Sequence, residues 1–281
     1  LMADLQLGLH IFGRYGVTIF ALSGLDIALW DIAGKAAGAP LHRLLGGLAR
    51  ESVPAYASLL KYQDAAVVAE LTTEALGKGY RLVKLHEVSA REVAAARAAA
   101  GDRVPIMLDV NCVWSPMRAA AMAEELFDYD LHWLEEPIWP PENYDALAEL
   151  RAACGMRLAA GENACTAWQF RAMIEAGAVD YAQPSVTKVG GISEFVKIAA
   201  LAETGNVALA PHSPYFGPGL LATLQLLAAY PAIESIERFY VDLDADLYDG
   251  ALTPKDGEIA VPTGPGLGLD PNPDFIARYR S

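Results

Sequence analysis

Asp109, Glu135 and Glu162 are the residues of this sequence best placed for chemistry. Each stands where a short apolar run ends, in MLDVN, WLEEP and AGEN, and successive members are 26 and 27 residues apart. A carboxylate turned away from water is costly unless it has a partner. Three brought together repel one another unless a cation lies between them. A ligand set of oxygens alone, without histidine or thiolate, suits a hard ion such as Mg2+ better than zinc. The alternative is that each acid caps the helix after its strand. Neighbouring side chains on a strand point to opposite faces, so in WLEEP Glu135 faces the ligand site and Glu136 is its outward neighbour or supports it from behind.

Further ionisable groups accompany the three acids. Lys84 and His86, two apart in VKLH, share a strand face, and a nearby ammonium would leave the imidazole neutral as a base. Lys188, in QPSVTKVGG, is a second base or a counter-charge to the acids. His212, in LAPHSPYFGPG, is a catalytic or a structural histidine. Glu237, in IESIER, either donates a hydrogen bond to developing negative charge while protonated or pairs with Arg238.

These residues need a scaffold that gathers distant strand ends. Eight runs supply it: SVPAYAS, YRLVKLH, VPIMLDV, DLHWLEE, RLAAGE, VDYAQPS, NVALAPH and IESIER. Their polar ends fall at Ser58, His86, Asp109, Glu135, Glu162, Ser185, His212 and Glu237, at steps of 23 to 28 residues. Each step is the length of one strand–helix–strand unit, so the strands are expected to be parallel. Eight close into an α/β barrel whose strand C-termini converge at one mouth. The segment SGLDIALWDIAGKAAGAPLHRLLGG reads as a helix capped by Ser23, broken at Gly38 and Pro40, then a short helix stopped by Gly46 and Gly47. Little helical pattern follows the eighth strand, so this earlier helix is expected to fill the gap in the outer ring. The turns KVGGIS and FGPGLL place glycines before helices, a weak signal for anion binding.

The chain has 281 residues and a formal net charge of −14. That balance argues against nucleic acid or an anionic membrane as a partner, though not against a small anionic substrate. Charges interrupt the apolar stretches, so no membrane span is expected. Cys112, Cys154 and Cys165 are an odd number without C-x-x-C spacing, which fits a reducing cytoplasm rather than a disulfide framework or zinc site. The start lacks a secretory pattern and opens on Leu1 in mid-pattern, so the sequence is expected to be part of a longer chain.

At the motifs SGLDIALWDIAGKAAGAPLHRLLGG, VKLH, MLDVN, WLEEP, AGEN, QPSVTKVGGIS, APHSPYFGPG and IESIERF, the sequence resembles the enolase superfamily, in its mandelate racemase and muconate lactonizing enzyme branch. The resemblance implies an α/β fold, a modified TIM barrel (β/α)7β with the remnant of an α+β capping domain. On that reading residues 1–50 are the end of the cap and the first barrel helix, 51–246 the barrel, and 247–281 a tail returning to the cap. It implies Mg2+ on Asp109, Glu135 and Glu162, a small carboxylate substrate losing its α-proton to give an enediolate, and a symmetric homo-oligomer. Glu237 matches the carboxylate-binding acid of the last strand. His86 stands where relatives with a Lys-x-Lys pair have the catalytic lysine, with Lys84 as its tuning partner. His212 matches the histidine of the dehydratase-like PH motif, but Ser185 replaces its dyad aspartate, while Lys188 matches the lysine of the muconate branch. Dehydration of a hydroxy acid or acid sugar is the first expectation, racemisation or epimerisation the second, cycloisomerisation the third. A non-catalytic carboxylate-binding relative is the alternative outside enzymes.

Overall fold

The computed structural model describes residues 1–280. Its eight parallel strands are β1 Ser52–Ser58, β2 Val83–Leu85, β3 Ile106–Asp109, β4 Trp133–Glu135, β5 Leu158–Ala160, β6 Tyr181–Ala182, β7 Ala208–Leu209 and β8 Ile236–Phe239. β9 (Glu258–Ala260) lies in the tail. The helices are α1 Met2–Gly8, α2 Val17–Ala36, α3 Leu41–Leu44, α4 Ala65–Gly77, α5 Ala90–Ala100, α6 Pro116–Leu126, α7 Tyr144–Cys154, α8 Thr166–Glu175, α9 Ile192–Thr204, α10 Pro218–Ala229 and α11 Pro273–Tyr279. All eight expected strands are present, seven within the runs that mark them and β8 running one residue past its own, to Phe239.

The sheet runs β7-β6-β5-β4-β3-β2-β1-β8, curled and mostly parallel, with β9 antiparallel to the start of β1. β7 and β8 share no ladder. Their seam is bridged by the Ser213 amide, which donates to Glu237 Oε2 at 3.2 Å. Inside the curl, Tyr56, Met107, Trp133, Ala159 and Ala210 form a buried apolar floor. A much larger apolar layer lies between sheet and helices, where near-continuous Val, Ile, Leu and Ala runs bury the outer face.

The acids at the strand ends are not helix caps. The side-chain caps come from other residues: Asp64 for α4, Ser115 for α6 and Asn143 for α7. Nor does Ser23 cap the first long helix. α2 begins at Val17, six residues earlier, and buried Ser23 donates to the Ile19 carbonyl at 2.7 Å while accepting from Gly190 N at 2.8 Å. That second bond, with the Ser193 amide and hydroxyl on Asp26, fills the start of α9 with side chains of α2, so KVGGIS offers no free anion site.

The gap in the helical ring is filled as expected, but by a shift. α10 packs on β1 and β8, and α2 sits between α9 and α10. α2 is also long and apolar enough to cross a bilayer by length and composition, against the expectation that charges would interrupt every such stretch. Its inner face is Ile19, Leu22, Ser23, Asp26 and Ile27, packed into this fold.

Candidate active site

Strand register brings the first two acids side by side, because Asp109 pairs with Glu135 in the β3–β4 ladder. Glu135 in turn pairs with Ala159 of β5. Simple alternation from Ala159 would aim residue 161 inward and residue 162 away. Gly161 breaks the alternation with φ at +138°, a conformation side chains rarely adopt. A Cβ there would lie 2.8 Å from the Phe170 ring and 2.9 Å from Gln183 N. The turn rotates Glu162 into the mouth, and one carboxylate oxygen each from Asp109, Glu135 and Glu162 come within 4.8 Å of one another.

The three acids fit a hard divalent cation. Asp109 and Glu135 are buried and Glu162 nearly so. Burial, and then the charge of Asp109, push the Glu135 carboxyl well above its usual range despite Lys84. A cation would relieve this strain. The single buried ammonium, Lys84 Nζ, donates to Asp109 Oδ2 at 3.3 Å and Glu135 Oε1 at 3.0 Å, and pairs with Glu237 Oε1 at 2.7 Å. Trp133 Nε1 fixes the other Glu135 oxygen at 2.8 Å, and the Asn111 amide holds Asp109 Oδ1 at 2.9 Å.

Two expectations are corrected here. Lys84 does not tune His86 alone: its charge is shared by three carboxylates, and it meets the imidazole only through Asp109 Oδ2, which lies 3.3 Å from each. Glu237 is neither a protonated donor nor a partner of Arg238. Burial raises its carboxyl, but the Lys84 ammonium, His212 and hydrogen bonds outweigh burial and hold it at about 2. Ser58 Oγ donates to it at 2.8 Å. Arg238 turns the other way and stacks 4.3 Å over the Phe216 ring.

The remaining candidates flank the acids. His86 Nε2 approaches Asp109 on one side, and its Nδ1 lies 2.5 Å from the Leu59 carbonyl. On the other side His212 Nε2 lies 2.8 Å from Glu162 Oε2, with Lys188 Nζ at 3.9 Å from Oε1. Ser185 Oγ stands 3.3 Å from His212 Nδ1 and also bonds the Tyr215 hydroxyl. Glu136 supports the site from behind, as expected. It accepts from Asn163 Nδ2 at 3.0 Å and Cys112 Sγ at 3.2 Å, and burial, with the charges of Glu162 and Asp109, pushes it up to about 7.

A cavity of about 280 Å³ opens over the acids, lined by Lys61, His86, Asn111, Glu162, His212 and Phe239. Larger cavities of about 620 and 480 Å³ lie elsewhere, yet only the smaller one collects both histidines and a candidate ligand. Sequence reading missed Trp133, although it shares a strand face with Glu135, and Lys61 at the rim. It also missed Tyr215, whose partner Ser185 is 30 residues away and leaves no local pattern.

A curled parallel sheet with three acids converging at its C-terminal mouth is the arrangement of a barrel enzyme and fits a hard cation. Residues 67–275 match the enolase C-terminal domain-like family, and residues 5–46 match the mandelate racemase/muconate lactonizing enzyme N-terminal domain. The chain belongs to the mandelate racemase/muconate lactonizing enzyme branch of the enolase superfamily, and it is a lyase or isomerase of that type. It is 33% identical over 287 residues to the D-galactarolactone cycloisomerase of Agrobacterium fabrum, covering 95% of this chain and 76% of that protein. It is 35% identical over 292 residues to the D-galactonate dehydratase of Xanthomonas campestris pv. campestris, covering 95% and 75%. The crystal structure of a mandelate racemase/muconate lactonizing protein from Paracoccus denitrificans, complexed with magnesium, superposes with a TM-score of 0.92 at 26% identity, covering 99% of this chain and 79% of that one.

Proposed function

We propose that the protein takes the α-proton from a small polyhydroxy acid and expels the oxygen on its β-carbon, with Mg2+ held by Asp109, Glu135 and Glu162. The observation that carries this reading is that two histidines flank the acids from opposite sides, His86 Nε2 3.3 Å from Asp109 Oδ2 and His212 Nε2 2.8 Å from Glu162 Oε2. A carbonyl only accepts hydrogen bonds, so against Leu59 the hydrogen of a neutral His86 sits on Nδ1, and its Nε2, beside Asp109 Oδ2, is the atom that takes a proton once a cation holds that carboxylate. The Glu162 carboxylate also only accepts, so the neutral His212 ring carries its hydrogen on Nε2. In this reading one ring takes a proton and the other gives one, from opposite flanks of the acids.

When bound, Mg2+ would supply Lewis-acid stabilisation of the negative charge that develops on the substrate carboxylate. His86 Nε2 takes the α-proton, and His212 Nε2–H protonates the departing oxygen. Lys84 and Glu237 anchor the floor of the site, and Lys188 adds positive charge on the His212 side. In this reading residues 1–50 are the end of the capping domain and the first barrel helix, 51–246 the barrel, and 247–281 a tail returning to the cap.

Where the β-oxygen is a hydroxyl, the outcome is dehydration, the chemistry named for the Xanthomonas relative. Where it belongs to a ring, the same two proton transfers open the ring and nothing leaves. Similarity to the Agrobacterium cycloisomerase supports this second reading. The test is a panel of aldonates, aldarates and their lactones incubated with enzyme and Mg2+ in D2O, scoring α-deuterium, water loss, ring opening and stereoinversion separately. His86→Asn is expected to abolish deuterium entry, whereas His212→Asn keeps it and loses elimination. Deuterium entry that survives His86→Asn removes His86 as the base, and no exchange across the panel favours a carboxylate-binding role.

A further inference from the structure

His212 has no carboxylate behind it. Among the described residues its only ion-pair contact is through Nε2, to Glu162. Nδ1 faces Ser185 Oγ at 3.3 Å, and Ser185 is fully buried. A second hydroxyl stands behind the serine: Tyr215 OH bonds Ser185 Oγ, and the tyrosine ring meets the imidazole edge-on, 6.0 Å between centroids at 87°. Thr187 Oγ1 is the other neighbour of Ser185 Oγ, at 3.5 Å, the limit of a hydrogen bond.

Counting hydrogens gives these contacts a direction. With the Nε2 hydrogen facing an acceptor, the neutral ring has its lone pair on Nδ1. Ser185 has one hydrogen, and Nδ1 is the acceptor that needs it. Having given it, the serine oxygen can only accept, and the tyrosine hydroxyl is the donor in reach. Every hydrogen from Tyr215 to Ser185 to His212 therefore runs the same way, and the chain ends on Nε2–H at the mouth. Were the tautomer reversed, Nδ1–H would point at Ser185 and Nε2 would turn a lone pair on Glu162.

We infer that Tyr215 and Ser185 are positioning residues, a neutral hydroxyl pair that fixes the ring angle and the Nε2–H tautomer of His212. This rests on the reading of His212 as the proton donor. An aspartate behind Nδ1 would favour an imidazolium that takes up and releases protons. The hydroxyl pair supplies the hydrogen bond to Nδ1 without the charge. Ser185 in QPSVTKVGG is then a working substitution, not a lost dyad, and its partner is Tyr215 in SPYFGPG.

The test needs no substrate. The chain has five histidines, and 15N-histidine labelling of the full protein, loaded with Mg2+, resolves tautomers by the separate shifts of the two ring nitrogens. His212→Asn assigns the signal. Wild type is expected to show His212 as one Nε2–H tautomer. Tyr215→Phe keeps the ring and removes the hydroxyl, and is expected to give a tautomer mixture. Ser185→Ala should give the same mixture, so the conclusion survives if either variant fails to fold. Ser185→Thr, which keeps a hydroxyl, should restore the single tautomer. On a turned-over substrate both deletions are expected to cut elimination about three- to tenfold, the range of one hydrogen bond, while α-deuterium entry through His86 stays unchanged. The double variant should lose no more than either single one. An unchanged His212 spectrum in both deletions, or losses that multiply in the double variant, overturns the inference. A panel with no turnover but with the predicted spectra would sink the functional reading and leave the hydroxyl brace standing.

Discussion

Replacing Lys84 by methionine keeps an apolar stem of similar length and deletes the one ammonium buried among Asp109, Glu135 and Glu237. Removing one partner of a buried ion pair costs about 3–5 kcal/mol, because the charges left behind are uncompensated. At roughly 2 °C per kcal/mol for a large domain, the metal-free variant should melt about 6–10 °C below wild type. Mg2+ should narrow that gap. With free Mg2+ at about 100 times the wild-type dissociation constant, wild type gains about 2.7 kcal/mol by mass action. Lys84→Met offers the cation a more negative site, and if it binds only tenfold more tightly it gains about 4.1 kcal/mol at the same concentration. The assay is thermal and urea unfolding of both proteins across a Mg2+ titration, with Ca2+-free and chelator-treated controls. Equal stability without metal would mean that Lys84 does not hold the acids together. A variant that gains no more from Mg2+ than wild type would mean that the acids and the cation site are not the same place.

Gly161→Ala should destabilise by about 1–3 kcal/mol, since φ is +138° and the new methyl meets Phe170 and Gln183. Because that turn aims Glu162, Mg2+ affinity measured by titration calorimetry should fall with it, and unchanged affinity would separate the turn from the site. Asp180 accepts from Arg151 Nη2 at 2.6 Å and Leu158 N at 2.9 Å; burial raises its carboxyl, but these bonds outweigh it and hold the group below its ordinary 3.8. The bonds stabilise the fold above that pH and are lost as pH falls through the depressed folded value. Asp180→Asn should therefore be less stable at neutral pH, and the urea-midpoint gap should close below about pH 3.8; a gap independent of pH would exclude the carboxylate as its source.

Much of the scaffold was legible because parallel strands buried on both faces leave a mark: a short apolar run ending in a polar residue, repeated at the βα interval. Asp109 and Glu135 could be placed by alternation alone. Glu162 was grouped with the other two acids for an incomplete reason, since alternation from Ala159 points it away and the backbone at Gly161 turns it in. Ser23 misled because a serine before an apolar helix resembles a cap, whereas it lies inside α2 and its hydroxyl is taken by Gly190 N at the start of α9. Lys84 and Glu237 were expected to act on a neighbour and on substrate. Each instead binds the other, a contact between β2 and β8 that no local pattern records.

On the proposed function, the same arrangement bears on how an acidic protein would accept an acidic substrate. At the mouth, the carboxyl groups of Asp109, Glu135, Glu162 and Glu237 surround one buried ammonium. Such a site repels an incoming carboxylate at short range, whatever the shape of its pocket. Lys61 lines the cavity, and Lys188 reaches only the outer edge of the cluster, 3.9 Å from Glu162 Oε1. On the proposed function, a divalent cation on Asp109, Glu135 and Glu162 would reverse the balance where the substrate arrives, and cation binding is expected to precede substrate binding. His86 is set by a backbone carbonyl that cannot change its charge. His212 is set from behind by two hydroxyls that add none, so the field at the mouth is left to the acids, Lys84 and the ion.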